Sequence, residues 1–208
     1  MNKNRAIAFG FAASILINAF PVLAHHPNGG ATPSNFTQGF LSGLGHPVIG
    51  IDHLVFVIAI GLLAALSKKG GMIVPTVFVM ATAIGTGLHL QSVNLPVPEL
   101  VISASILAMG MFLAKENQLN VTLLAAVGAI SGIFHGYAYG ESIVGAETTA
   151  LIAYLIGFCG IQLAISAIAF YLGKRIINQP NKSSLLLRFA GFTISGIGFA
   201  FLSNLILG

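Results

Sequence analysis

Charge is what this chain has least of. Nine Lys and Arg and five Asp and Glu make up 7% of 208 residues, where a soluble domain carries about 25%. That scarcity excludes a soluble globular protein, because the long uncharged stretches need a bilayer as solvent. There is one cysteine, Cys159, so no disulfide can form within the chain. Its setting, Gly157-Phe158-Cys159-Gly160, reads as a small packing residue. Walker A, dinucleotide-binding, His-Glu-x-x-His and Gly-x-Ser-x-Gly motifs are all missing. Direct coupling to ATP within this chain is therefore not expected, nor is a prosthetic group. The apolar runs do not alternate at period two, which argues against a membrane β-barrel. The net charge of +4 does not imply nucleic acid, since the basic residues are distributed by membrane side.

What is present is hydrophobic, 56% of the chain, with a mean hydropathy of +0.93. Lys3 and Arg5, an apolar run over residues 6–20 and Val22 and Ala24 at the −3 and −1 positions predict a signal peptide over 1–24. The mature chain would begin at His25-His26, with a short outer segment over 25–47. Apolar runs then predict an all-α polytopic bundle over 48–208, with about six transmembrane helices near 48–66, 72–91, 98–114, 120–140, 148–172 and 185–207. No inverted repeat is visible, since the polar motif that opens the first span closes the fourth.

Beyond the signal segment, the basic residues Lys68, Lys69, Lys115, Lys174, Arg175, Lys182 and Arg188 all fall in alternate loops. The positive-inside rule makes that side cytoplasmic and puts the mature N-terminus outside a bacterial inner membrane. Asp52, Glu99, Glu141 and Glu147, with all six histidines, map to the opposite, outer half.

Two motifs concentrate this chemistry. The first is Gly45-His46-Pro47-Val48-Ile49-Gly50-Ile51-Asp52-His53. Pro47 suits the first turn of a helix, with His46 at its cap. In an unbroken helix His46 and His53 lie ~10 Å apart along the axis, too far for one ion, and Gly50 is the place for a break that would bring them closer. The second is Phe134-His135-Gly136-Tyr137-Ala138-Tyr139-Gly140-Glu141, carried on a Gly128, Gly132, Gly136, Gly140 stripe that allows close helix packing. Imidazole with carboxylate suits Ni²⁺, Co²⁺ or Zn²⁺, whereas Ca²⁺ and Mg²⁺ take oxygen shells. Ionisable groups within a membrane mark ion sites or pathways. Weaker candidates are His89 closing the second span, Glu99 at a helix start that itself stabilises a carboxylate, and His25 and His26 beside a freed amine.

These motifs, His46-Pro47-x-x-Gly50-x-Asp52-His53 and Phe134-His135-Gly136-Tyr137-Ala138, resemble those of the HupE/UreJ family of nickel and cobalt permeases. The resemblance implies a secondary transporter rather than an enzyme, with Ni²⁺ or Co²⁺ as transported ligand and a cytoplasmic metal acceptor. It implies metal-handling positions at His46, Asp52, His53, Glu99, His135 and Glu141. Family members often carry a second histidine where this chain has Tyr139, so metal preference transfers least securely. Two rival readings use the same cluster: a membrane-embedded metalloenzyme that activates water, and an accessory or sensor protein that binds metal without moving it. Gly- and Ser-rich helix faces are compatible with a homo-oligomer.

Overall fold

The computed structural model describes residues 31–67, 70–115, 120–179 and 183–208. The segment predicted as a signal peptide, with His25 and His26, lies outside the described residues. Among the described residues seven α-helices follow one another: α1 Phe36–Ile49, α2 Ile51–Leu66, α3 Ile73–Leu90, α4 Pro98–Lys115, α5 Val121–Gly140, α6 Thr148–Ile177 and α7 Ser183–Leu207. A 3-10 turn, Glu141–Ile143, extends α5. Among the described residues there is no strand. Helices satisfy every interior backbone group within one segment, which hydrocarbon demands. Their ends are marked by ordinary signals. Asn35 and Asn120 cap α1 and α5, accepting from Gln38 N at 3.0 Å and Thr122 N at 2.8 Å, and Pro98 opens α4.

Helices α3 to α7 are each long and apolar enough to cross a membrane; counted as one span, α1 and α2 make six, bent by 78° at their junction. The chain is thus an all-α polytopic bundle. Two residues account for the bend. Pro47 has no N–H to give the carbonyl of Gly43. Gly50 then takes an extended conformation, φ −72° and ψ 101°, its N–H closing α1 on the carbonyl of His46 at 3.0 Å. The sequence expectation is corrected here: Pro47 lies in the last turn of a helix, not the first turn of one, and His46 is inside α1 rather than capping its successor. Much of the stretch read as an outer segment is helical, from Phe36 on.

Both half-helices run along α6 in the same direction. Gly39 and Gly43 of α1 meet Ala150 and Tyr154, while Gly61 and Ala65 of α2 meet Ser166 and Gly173. The break therefore falls part-way down α6, whose 30 residues span ~45 Å. Helix α2 is central and touches all six others; its Phe56, Val57, Ala59, Ile60 and Ala64 are wholly buried. Around it, α3 packs on α5, α4 on α7 and α1 on α6. The glycine stripe of α5 faces α3, and a Cβ at Gly136 would run into the carbonyl of Thr82. Outward faces carry Ile84, Ile130, Ile156, Ile168 and Phe199, all more than half exposed, as a lipid-facing surface requires.

The helix directions sort the charges. Lys115 and the Lys174-Arg175 pair end α4 and α6 at one pole, where Lys174 Nζ donates to the carbonyl of Ser67 at 2.9 Å. Glu99, Glu141 and Glu147 stand at the other.

A candidate metal centre at the broken helix

The bend at Gly50 turns the last turn of α1 and the first turn of α2 toward each other. His46 and His53, seven residues apart in sequence, come to a ring separation of 5.9 Å. From α5, His135 joins them, its Nδ1 2.9 Å from Nδ1 of His53. The three imidazoles are 6%, 4% and 0% exposed. One turn beyond His135, the ring of Tyr139 lies 4.3 Å from that of His53 and edge-on to His46 at 5.0 Å. Phe56 of α2 closes the far side, 4.4 Å from the His135 ring.

The hydrogen-bond network assigns the tautomers. Ser105 has one hydroxyl proton, given to the carbonyl of Ile102 at 2.7 Å. Its oxygen then accepts from Nε2–H of His135 at 3.2 Å. A neutral His135 therefore accepts at Nδ1, and His53 is the donor across the 2.9 Å contact. That leaves the lone pair of His53 on Nε2, 3.9 Å from Oδ2 of Asp52. A second network orients His46. Tyr154 Oη and Ser142 Oγ both donate to the carbonyl of Tyr139, each at 3.0 Å. Ser142 Oγ at 2.9 Å and Tyr154 Oη at 3.3 Å both meet Nδ1 of His46, so two hydroxyls fix the orientation of its ring. An imidazole oriented through one ring nitrogen by a neighbouring hydrogen-bonding group is the arrangement found at metal-ligating histidines.

Asp52, with 27% of its side chain exposed, is the acid of the cluster. The 3.9 Å between Asp52 Oδ2 and His53 Nε2 lies within the range of about 2.8–4.4 Å that two donors span on one first-row dication with bonds of about 2.0–2.2 Å. Among the described residues, no three His, Cys, Asp or Glu side chains are grouped to hold a single ion. Glu99 and Glu141 are exposed at the acidic pole, outside the buried cluster. His89 is half-buried at the end of α3, its ring tilted against that of Tyr137 at 4.5 Å. The cluster itself does not sit at the outer ends of the long spans. His135 is five residues from the end of α5 and Tyr154 six from the start of α6, or about 8–9 Å inward.

Sequence reasoning missed Ser105, Ser142 and Tyr154, and took Tyr139 only as a departure from a family pattern. Tyr139 Oη is buried with no hydrogen-bond partner among the described residues, a polar atom held against two imidazoles. Ser105 offers a clean test of the assigned network. Ser105→Ala should leave the bundle folded and weaken metal binding about 10- to 100-fold, the usual effect of removing a group that orients a ligating histidine. Isothermal titration with Ni²⁺ and Co²⁺ would measure it, and unchanged affinity would refute the tautomer assignment.

The fold and this centre define a class: a polytopic helical membrane protein in which the first crossing among the described residues is broken over three buried imidazoles. The chain belongs to the HupE/UreJ family, whose match covers residues 13–201. Among curated proteins, Protein HupE of Rhizobium leguminosarum bv. viciae is 28% identical over 185 residues, 88% of this chain and 92% of the relative. No solved structure matches the chain.

Proposed function

We propose that this protein is a secondary permease that carries Ni²⁺ or Co²⁺ across the bacterial inner membrane, entering from the acidic pole. The observation that carries this reading is the pairing of His53 Nε2 with Asp52 Oδ2 at 3.9 Å, held by the His135–Ser105 relay at a break in a membrane-spanning helix. Broken helices are the usual sites of ion binding in transporters, because unwound backbone and helix ends supply ligands there. The carbonyls of Val48 and Ile49, in the last turn of α1, belong to the group that a helix end leaves without intrahelical donors. They favour a cation there.

In this mechanism Asp52 offsets the charge of the partly dehydrated dication, His53 supplies imidazole, water completes the coordination, and His46 marks the next station on the path. Two protein ligands hold the ion moderately, which suits conduction, since an ion bound too tightly does not leave. Glu99 and Glu141, at the acidic pole, raise the local cation concentration before entry. The basic pole faces the cytoplasm by the positive-inside rule, and release there delivers the ion to an acceptor. The driving force is the ion gradient or the membrane potential.

The test is accumulation of labelled Ni²⁺ and Co²⁺ by cells expressing the chain, followed by a wash with an impermeant chelator. Retention of metal inside the cells supports the permease. Metal bound but fully stripped by the chelator would favour an accessory protein that does not transport. Orientation is checked separately, since a tag placed between α2 and α3 should be shielded from external reagents in intact cells.

A further inference from the structure

A groove of about 770 Å³ runs between α4 and α7 on the outward face of the bundle, away from the histidine cluster. Leu107 and Met111 form one wall and Phe192 and Phe199 the other. Each set repeats at helical spacing, so the groove follows the helix axes for two to three turns. The volume lies within the range of about 300–1,000 Å³ usual for small-molecule sites. Its walls are apolar, with Met111 46%, Phe192 59% and Phe199 63% exposed.

One end of this groove is cationic. Lys115, the last residue of α4, and Arg188, near the start of the antiparallel α7, both line it at the basic pole. Both are exposed, and no carboxylate is paired with either among the described residues. Lys174, by contrast, is held by the carbonyl of Ser67. A third observation concerns the floor. A Cβ at Gly191 or Gly198 would strike the α4 backbone, yet one at Gly196 would meet nothing within 4 Å. Gly191 and Gly198 bring the helices together; Gly196, which also lines the groove and is exposed, puts no side chain into it.

We propose that this groove binds an anionic phospholipid, with its phosphate between Lys115 and Arg188 and an acyl chain along Phe192, Phe199 and the Gly196 floor. The chemistry matches at both ends. Arg presents a planar donor fork to phosphate oxygens and Lys a second positive charge, and basic pockets between transmembrane helices select anionic head groups. The apolar channel has the direction of an acyl chain, along the bundle axis from the membrane surface inward. A zwitterionic lipid would fill the same channel but bring an ammonium toward two cations.

Native mass spectrometry of the purified full chain, mixed in detergent with phosphatidylglycerol or phosphatidylcholine, tests this. The wild type should retain phosphatidylglycerol at least tenfold better. Lys115→Gln and Arg188→Gln should each reduce that retention about fivefold, the equivalent of ~1 kcal/mol per basic residue near a membrane surface. Gly196→Leu should displace both lipids while its melting temperature without added lipid stays at the wild-type value, because the new side chain enters open space. Equal retention of the two lipids, or phosphatidylglycerol retention unaffected by either Gln variant, would overturn the proposal. So would inorganic phosphate competing as well as the lipid, since the acyl groove would then contribute nothing.

Discussion

His53→Ala is expected to reduce Ni²⁺ and Co²⁺ uptake to background while the protein remains in the membrane at normal abundance. Four features meet at this side chain: the bend at Gly50, the Nδ1 contact with His135 at 2.9 Å, the Tyr139 ring at 4.3 Å and the Asp52 carboxylate at 3.9 Å. Removing the imidazole takes away a direct ligand, and its effect should exceed the about 10- to 100-fold loss that follows from disturbing a group behind a ligand. Asp52→Asn should fail nearly as badly although the shape is unchanged. Two unit charges at 4 Å interact by about 4 kcal/mol at a protein-like effective dielectric. A dication feels more than this, less what is lost to desolvation, and each 1.4 kcal/mol is tenfold in affinity. His89→Ala provides the contrast, because His89 packs against Tyr137 outside the cluster; its uptake should stay within about twofold of wild type. The measurement is initial uptake rate normalised to membrane abundance. Loss in all three variants would place the effect on assembly rather than on the site, and normal uptake in His53→Ala would remove the site altogether.

Asp52 and His53 were legible as candidates because intramembrane ionisable groups are so few that each one stands out. Gly50 was legible as the place for a break, since a glycine amid an apolar run near a proline has few other uses. The side of the break on which His46 and Pro47 would fall was not. Proline is tolerated both at the first turn of a helix and near a helix end, and only the packing of Gly39 and Gly43 onto α6 decides that the chain is already helical before His46. Ser105, Ser142 and Tyr154 were illegible for another reason. Serine and tyrosine in apolar helices have no periodic signature, and their partners are 30, 96 and 15 residues away in the chain. Glu99 and Glu141 show the converse. They were conspicuous by their charge, yet they lie at the surface, where carboxylates need no partner. Sequence chemistry identifies which groups are costly to bury; which of them are buried together depends on helix docking.

That docking is itself open to a severe test at Gly136. In lipid there is no hydrophobic force to press helices together, so van der Waals packing and interhelical hydrogen bonds carry association. At Gly136 both are present at once: the backbone of α5 lies against Thr82, and the Gly136 carbonyl accepts from Thr86 Oγ1 at 2.8 Å. A side chain there must push α3 away, breaking that bond and opening the contact along Gly132 and Gly140 as well. Gly136→Leu should therefore lower stability by more than the 1–3 kcal/mol typical of overpacking, a large part of the 5–15 kcal/mol that usually holds a protein folded. The measurable outcome is loss of monodisperse protein after detergent extraction, or a melting temperature many degrees lower. Gly160→Leu, where an added Cβ meets nothing within 4 Å, should behave as wild type. The pair also separates site from scaffold. His135 adjoins Gly136, so Gly136→Leu should lose metal binding together with its melting temperature, whereas His53→Ala should lose metal binding alone. If Gly136→Leu kept both, the α3–α5 contact could not be what holds His135 against His53, and the centre would need another support.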